Sequence, residues 1–257
     1  MDFYKDIESF KEASGYTIDG VWYPRVTKIV GIKAKPALYR YYGEAANFKA
    51  AQSITQKSAE EGTLVHETVE AFLLGQRPEV DASIRPAVVA FLKFWKEKKI
   101  QALPELIEKR VVSYDHRYAG TVDAIALIDG RIGVLDIKTS QAIYRDYNLQ
   151  TSAYMDALKH SPESPQTRWI LKIDQNQVCG LCGSIRRVKG GREKIRLGKS
   201  GSYGRMRGCV HDWSEVRGDI ELQEFPYWQS DFEAFLAAKR LWEWENEEWL
   251  EKVGYLS

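Results

Sequence analysis

The stretch from Gly120 to Ser140 constrains the fold more than any other part of the chain. It reads Gly120-Thr-Val-Asp123-Ala-Ile-Ala-Leu-Ile-Asp-Gly-Arg-Ile-Gly-Val-Leu-Asp136-Ile-Lys138-Thr-Ser140. Two apolar runs flank Asp129-Gly130, the commonest signal for a two-residue turn of type I′. A turn that tight sets the register. Ile128 faces Arg131, and counting back places Asp123 opposite Asp136 in a non-hydrogen-bonded pair, where side chains approach closest. Lys138, two residues past Asp136, points to the same face. The remainder is apolar on both sides: Ile125, Leu127, Ile132 and Val134 on one, Ala124, Ala126, Ile128, Leu135 and Ile137 on the other. This predicts a central strand pair covered on both faces.

Like charges directly opposite each other destabilise a sheet. Two carboxylates at the end of a covered strand pair therefore call for a positive group between them. A divalent cation with oxygen ligands meets that need, and magnesium takes one or two protein carboxylates plus substrate phosphate. The plainer alternative is an Asp–Lys ion pair at a strand end, with Asp123 as a turn residue.

The chain's 257 residues suit one large domain, or one domain with an insertion. A formal charge of +1 excludes a protein that is basic throughout. No apolar run is long enough to span a membrane, and the first residues lack the basic and apolar regions of a signal peptide. Three cysteines, an odd number, argue against a disulfide framework and for a reducing compartment. The expectation is a cytoplasmic protein with no membrane partner.

Elsewhere the pattern predicts a short helix from Pro36 to Tyr42 and a helix over about 59–74 carrying His66 and Glu70 on one face. The aromatic and basic residues of 1–58, among them Tyr16, Trp22 and Arg25, either stack on bases or cap the core. A second helix covers about 83–98. A strand from Leu106 to Tyr114, containing Glu108, completes a three-stranded antiparallel meander with the hairpin. A helix over 144–159 sets Gln150 and Tyr154 on one face, and the strand Arg168–Ile173 could pair in parallel beside the meander. Residues 230–252 read as one long helix covering the core. Helix, three strands, helix and strand make an α/β layer arrangement.

Gly62-x3-His66, Gly120-x2-Asp123, Asp136-x-Lys138 and Gln150-x3-Tyr154, in this order, resemble the RecB-like exonucleases of the PD-(D/E)XK nuclease superfamily, in particular the single-domain mitochondrial genome maintenance and phage types. The resemblance implies a restriction-endonuclease-like core with helical N- and C-terminal additions, formed by residues 1–174 and 218–257. It implies that Asp123, Asp136 and the backbone carbonyl of Ile137 hold Mg²⁺ or Mn²⁺, with His66 beside the metal. Lys138 would orient or help deprotonate the attacking water. Gln150 and Tyr154 would position DNA, and Glu70 and Glu108 stand where relatives often carry an acid. The implied activity is metal-dependent DNA exonuclease action on single strands or ends; the alternatives are a structure-specific endonuclease and a non-catalytic module that binds DNA ends. No Walker A motif is present in these residues, so the expectation is not a helicase–nuclease fusion.

Residues 175–217 interrupt this core and hold every cysteine. Cys179-x2-Cys182-Gly has the shape of a zinc knuckle, and Cys209-x-His211 can complete a Cys₃His site. The alternative is three incidental or buried cysteines. No cysteine precedes residue 179, which departs from the four-cysteine iron–sulfur branches of the same family. Between the two pairs lie nine basic residues (Arg186, Arg187, Lys189, Arg192, Lys194, Arg196, Lys199, Arg205, Arg207) against one acid, Glu193, with glycines that suggest a pliable loop. Such one-sided charge points to phosphate contacts rather than base readout. Trimming the loop is expected to weaken DNA binding and flatten its salt dependence.

Overall fold

The computed structural model describes residues 4–45, 47–197 and 208–256. In chain order these form α1 (Ile7–Ser14), β1 (Gly15–Ile18), β2 (Val21–Pro24), α2 (Val26–Val30), α3 (Pro36–Glu44), α4 (Phe48–Leu73), α5 (Arg85–Glu97), β3 (Gln101–Ser113), β4 (Tyr118–Ile128) and β5 (Arg131–Lys138). Then follow α6 (Tyr147–Leu158), β6 (Thr167–Val178), β7 (Ile185–Lys189), β8 (Arg192–Arg196), β9 (Arg217–Glu224), α7 (Gln229–Glu245) and α8 (Glu247–Lys252). The result is an α/β protein with a mixed sheet.

The central hairpin has the expected register: the β4–β5 ladder runs from Ile128 opposite Arg131 to Ala124 opposite Leu135. Asp129 and Gly130 have φ of 50° and 78°, the two positive values a type I′ turn requires. Regular pairing stops one step short of Asp123 and Asp136, so both acids stand where the strands part. β3 pairs antiparallel with β4. β6 lies parallel to β5, pairing Gly133 with Thr167 through to Lys138 with Lys172, and α6 makes the crossover such a connection needs. β9 pairs antiparallel with β6.

Both faces of the sheet are covered. Val65 and Val69 of α4 and Val88 and Phe91 of α5 pack on Ala124, Ala126, Leu135, Ile137 and Leu171. On the other side Phe10, Trp22 and Ile29 join Met155 of α6, Phe235 of α7 and Leu250 of α8 against Ile125 and Val134. Each fully buried Val, Leu, Ile, Phe or Met among them contributes about 1.5–3 kcal/mol. The second layer ends before the turn, where Ile132 is 41% exposed.

Three elements differ from expectation. α4 begins well before residue 59, because the Asn47 side chain caps it by accepting from the amides of Lys49 and Ala50. The C-terminal helix is two helices, broken at Asn246, whose side-chain Nδ2 donates to the Trp242 carbonyl at 2.8 Å. An asparagine that bonds its own backbone in this way competes with helix continuation. The basic insertion is not a pliable loop in its first half. It forms the β7–β8 hairpin, joined to the end of β6 through Gln177–Arg186 and Val178–Ile185. Lys199, Arg205, Arg207 and the glycines at 198, 201 and 204 lie outside the described residues. Among the described residues, no helix is long and apolar enough to cross a membrane.

Candidate active site and metal centre

The site assembles where β4, β5, α4 and α6 meet. Lys138 Nζ donates to Asp136 Oδ1 at 2.8 Å and lies 2.7 Å from Oδ2, close enough for ion pairing but outside hydrogen-bond geometry. Oδ2 is buried and no hydrogen bond reaches it. Gln150 Nε2 donates to Asp136 Oδ1 at 3.2 Å and to the Tyr154 hydroxyl at 2.9 Å. The Ile137 amide donates to Asp123 Oδ2 at 2.5 Å. His66, on α4, faces the Ile137 backbone beside the two acids.

Two motif glycines explain how the elements come so close. A Cβ on Gly62 would stand 2.7 Å from Thr139 Oγ1, and one on Gly120 would collide with the Tyr154 ring. Tyr154 is 1% exposed, so it does not stand at the surface as a DNA contact. Its ring fills the space over Gly120, and it reaches the site only through Gln150.

The acids crowd one another. Burial pushes the Asp136 carboxyl up to about 6, with repulsion from Asp123 adding to it and the Lys138 ammonium opposing it. Asp123 is also raised, by burial first and then by Glu70, against Lys138 and the Ile137 amide. Glu108 is raised to about 7 by lost solvation and by Asp123 and Glu70. Its side chain keeps an open face, so the neighbouring carboxylates are the firmer part of that effect. Glu108 also has φ 48°, a left-handed conformation that costs of order 1–3 kcal/mol and persists where surrounding structure enforces it. It follows an irregular stretch of β3 between Ala102 and Ile107; such irregularities re-aim side chains. Burial lowers His66, with Lys138 adding to the effect, which keeps the imidazole neutral and able to bind a cation. Lys138 itself is raised: burial pulls it down, but Asp136 and Asp123 more than offset that.

The raised Asp136 carries a sign. Its folded pKa lies above the unfolded value near ~3.9, so the folded state holds that proton more tightly. This contribution is complete in acid and is lost as pH rises through about 6. Without divalent cations, wild type is therefore expected to lose stability relative to Asp136→Asn by up to about 3 kcal/mol between about pH 4 and pH 7.5. Added Mn²⁺ should restore more of it at the upper end, where no proton competes. Thermal unfolding of both proteins across this range checks it; parallel pH curves for the two would rule out the raised carboxyl.

The other cluster is tighter. Cys179, Cys182, Cys209 and His211 bring their ligand atoms within 4.8 Å of one another. Cys179 Sγ stands 4.0 Å from Cys209 Sγ, and Cys182 Sγ stands 3.3 Å from His211 Nδ1. Thiolates at about 2.3 Å from a tetrahedral zinc are about 3.8 Å apart, so the donor set and its spacing fit a metal. The knuckle is built by backbone bonds from the Cys179 amide to the Ser184 carbonyl and from the Gly183 amide to the Cys179 carbonyl. Among the described residues this is the one group of three or more such ligands gathered so closely. The carboxylates and His66 stand farther apart, with the Lys138 ammonium seated on Asp136.

The six basic residues expected at DNA divide by role. Arg187 pairs with Asp174 at 2.6 Å and donates to the Thr139 carbonyl at 3.2 Å, and Lys189 Nζ donates to the same carbonyl at 2.5 Å. These two tie the hairpin to the end of β5, next to Lys138. Arg186 pairs with Glu193 across the hairpin. Arg192, Lys194 and Arg196 are exposed. At the turn the Gly190 amide donates to Glu61 Oε1 at 2.8 Å, and a Cβ there would stand 2.5 Å from the Ile54 carbonyl oxygen of α4.

No protein-family model matches the chain, and no curated protein matches it. Among solved structures, the crystal structure of SSO0001 is similar over 69% of this chain and 68% of its own, at 16% identity and a TM-score of 0.29, a likeness too slight to bear on fold or function. Fold and site together define an α/β protein that has a buried carboxylate–lysine cluster and a Cys₃His group able to hold a metal.

Proposed function

We propose that this protein is a metal-dependent deoxyribonuclease of the RecB-like kind, an exonuclease acting on single strands or DNA ends. The observation that carries the reading is Asp136: a buried carboxylate with one oxygen outside any hydrogen bond, the Lys138 ammonium within 2.8 Å of both its oxygens, and the carboxyls of Asp123 and Glu108 at raised pKa. Mutually repelling acids in a covered site are the donor set for a hard cation. Asp136, Asp123, His66 and Glu108 would hold Mg²⁺ or Mn²⁺, which when bound lowers the pKa of water and neutralises phosphate oxygens.

The chain's own residues supply the rest. Lys138 offers N–H donors beside Asp136, where they can orient the attacking water and meet charge growing on the phosphate. Gln150 bonds both Asp136 and Lys138 and so fixes their relative position, with Tyr154 behind it. The order of α4, the β3–β4–β5 meander, α6 and a parallel β6 supports the same family reading. We assign Cys179, Cys182, Cys209 and His211 to a structural zinc that fastens the base of the basic hairpin.

The test is digestion of single- and double-stranded DNA, labelled at either end, with Mg²⁺, with Mn²⁺, or with neither. Stepwise shortening that requires the added cation is expected; absence of cleavage with both cations would refute the activity. The spread of the carboxylate ligands and the seating of Lys138 on Asp136 favour one second reading, a DNA-end-binding module that retains the core as scaffold. Binding without cleavage would select it.

A further inference from the structure

Next to the carboxylate cluster, the β7–β8 hairpin and helices α3 and α4 flank an open pocket of about 300 Å³, at the small end of the range for ligand sites. Arg187, Lys189, Arg192 and Lys194 line it, and no carboxylate does. We infer that this pocket receives the phosphomonoester at the end of a nucleic-acid strand. The inference rests on the nuclease reading and gives its substrate a chemically defined end.

The cations in the pocket are not equivalent. Arg187 and Lys189 hold the wall in place through Asp174 and the Thr139 carbonyl. Arg192 and Lys194 have no carboxylate partner among the described residues. The Arg192 guanidinium lies over the Tyr41 ring, 4.2 Å from its centroid. Stacking fixes the guanidinium plane and leaves its edge donors free for a planar fork onto an oxyanion. Burial and then Arg187 press Lys189 down to about 8, against Asp174 and Glu61. Burial followed by Arg196, Arg192 and Arg187 lowers Lys194. Positive groups that repel one another around one open hollow call for an anion, as the neighbouring acids call for a cation.

The charge selects the anion. A phosphomonoester carries about −1.5 to −2 and three strong acceptor oxygens at neutral pH, a closer match than the single charge of an internal phosphodiester to the three cations that remain once Arg187 is paired with Asp174. Position agrees. Two of the pocket's cations bond the carbonyl of Thr139, the neighbour of Lys138, so a strand end seated here lies beside the cluster proposed to cut it. The hairpin turn closes one side, since Gly190 packs on Ile54 and Ser58, both of which line the pocket.

The test is fluorescence anisotropy without Mg²⁺ or Mn²⁺, using a short single-stranded oligonucleotide with phosphate or hydroxyl at its 5′ end, and the same pair at its 3′ end. One phosphorylated end is expected to bind at least about tenfold more tightly than its hydroxyl counterpart. Arg192→Ala with Lys194→Ala should bring that ratio close to one; both residues are exposed, and circular dichroism checks their folding. On wild type, inorganic phosphate should compete with the phosphorylated strand and not with the hydroxyl-ended one. A ratio near one at both ends, or a ratio that survives in the double variant, overturns the proposal. A nucleoside monophosphate that competes as well as the phosphorylated strand overturns the strand-end assignment and makes the free nucleotide the occupant. Cleavage without end preference would remove the pocket and spare the nuclease reading; end preference without cleavage would do the reverse.

Discussion

Asp136→Ala is expected to lower metal-dependent DNA cleavage by about 10³-fold or more, and Lys138→Ala to do the same. Asp136 stands at the centre of the cluster. It bonds Lys138 and Gln150, it repels Asp123, and one of its oxygens has no hydrogen bond. Without it a cation loses its most buried ligand and Lys138 loses the group that aims it. The variant also has a structural consequence that must be separated from the chemical one. The Asp136 side chain is 1% exposed and that of Lys138 18%, and breaking a buried pair by removing one partner costs about 3–5 kcal/mol. Asp136→Asn is the better probe, because it keeps the shape and an acceptor for Lys138 while removing the charge. The measurement is the initial cleavage rate with Mn²⁺, beside thermal unfolding of the same sample. Cleavage close to wild type by a folded Asp136→Asn or Lys138→Ala protein would sink the mechanism, whatever the binding data say.

Removal of metal from the Cys₃His group is the second large effect. The protein is expected to carry about one zinc per chain, and Cys182→Ala or chelation should release it. Metal binding in such sites is largely folding energy, about 10–16 kcal/mol in zinc-finger peptides. Here it would fasten the strand end after β6 to the 209–213 segment that returns toward β9. Neither principal apolar cluster includes the cysteines, so the core should still melt cooperatively while the hairpin loses the anchor at its base and keeps those at Thr139 and Glu61. Nucleic-acid affinity is then expected to fall 10- to 100-fold near ~0.15 M salt, and the log–log salt slope to shrink by about 2, the share of three released phosphate contacts on a single strand. Elemental analysis, and titrations at several salt concentrations, measure both. Protein purified without zinc, or an unchanged slope after its release, would contradict the assignment.

The parts legible in the chain were local. The Asp-Gly turn and its flanking apolar runs set the β4–β5 register residue by residue, because a two-residue turn leaves no freedom in the count. The Cys-x2-Cys and Cys-x-His spacings located four ligands that do converge. Asn47 is a capping residue by type, but apolar periodicity is weak over the first turns of α4, so the residue alone does not mark the helix start. Asn246 broke a helix whose apolar stripe runs through the break, since that stripe reports burial and not backbone continuity.

Other features depended on distant segments. Glu108 and Glu70 could not be ranked from sequence; the strained φ of Glu108 arises only once β3 pairs irregularly with β4. Tyr154 reads as a reachable polar aromatic, but its burial depends on Gly120 lying beneath it. The basic tract reads as one uniform surface. Packing divides it into Arg187 and Lys189, which brace the hairpin on Thr139, and Arg192 and Lys194, which face a pocket.

By itself the sequence determined which acids would stand side by side on one hairpin, because strand pairing across a tight turn is a matter of counting. The tertiary structure alone decided what surrounds them: His66 from α4, Gln150 from α6 and the cations of β7–β8 arrive from far along the chain. Their meeting depends on how the helices bury their apolar faces on the sheet, which no local pattern encodes.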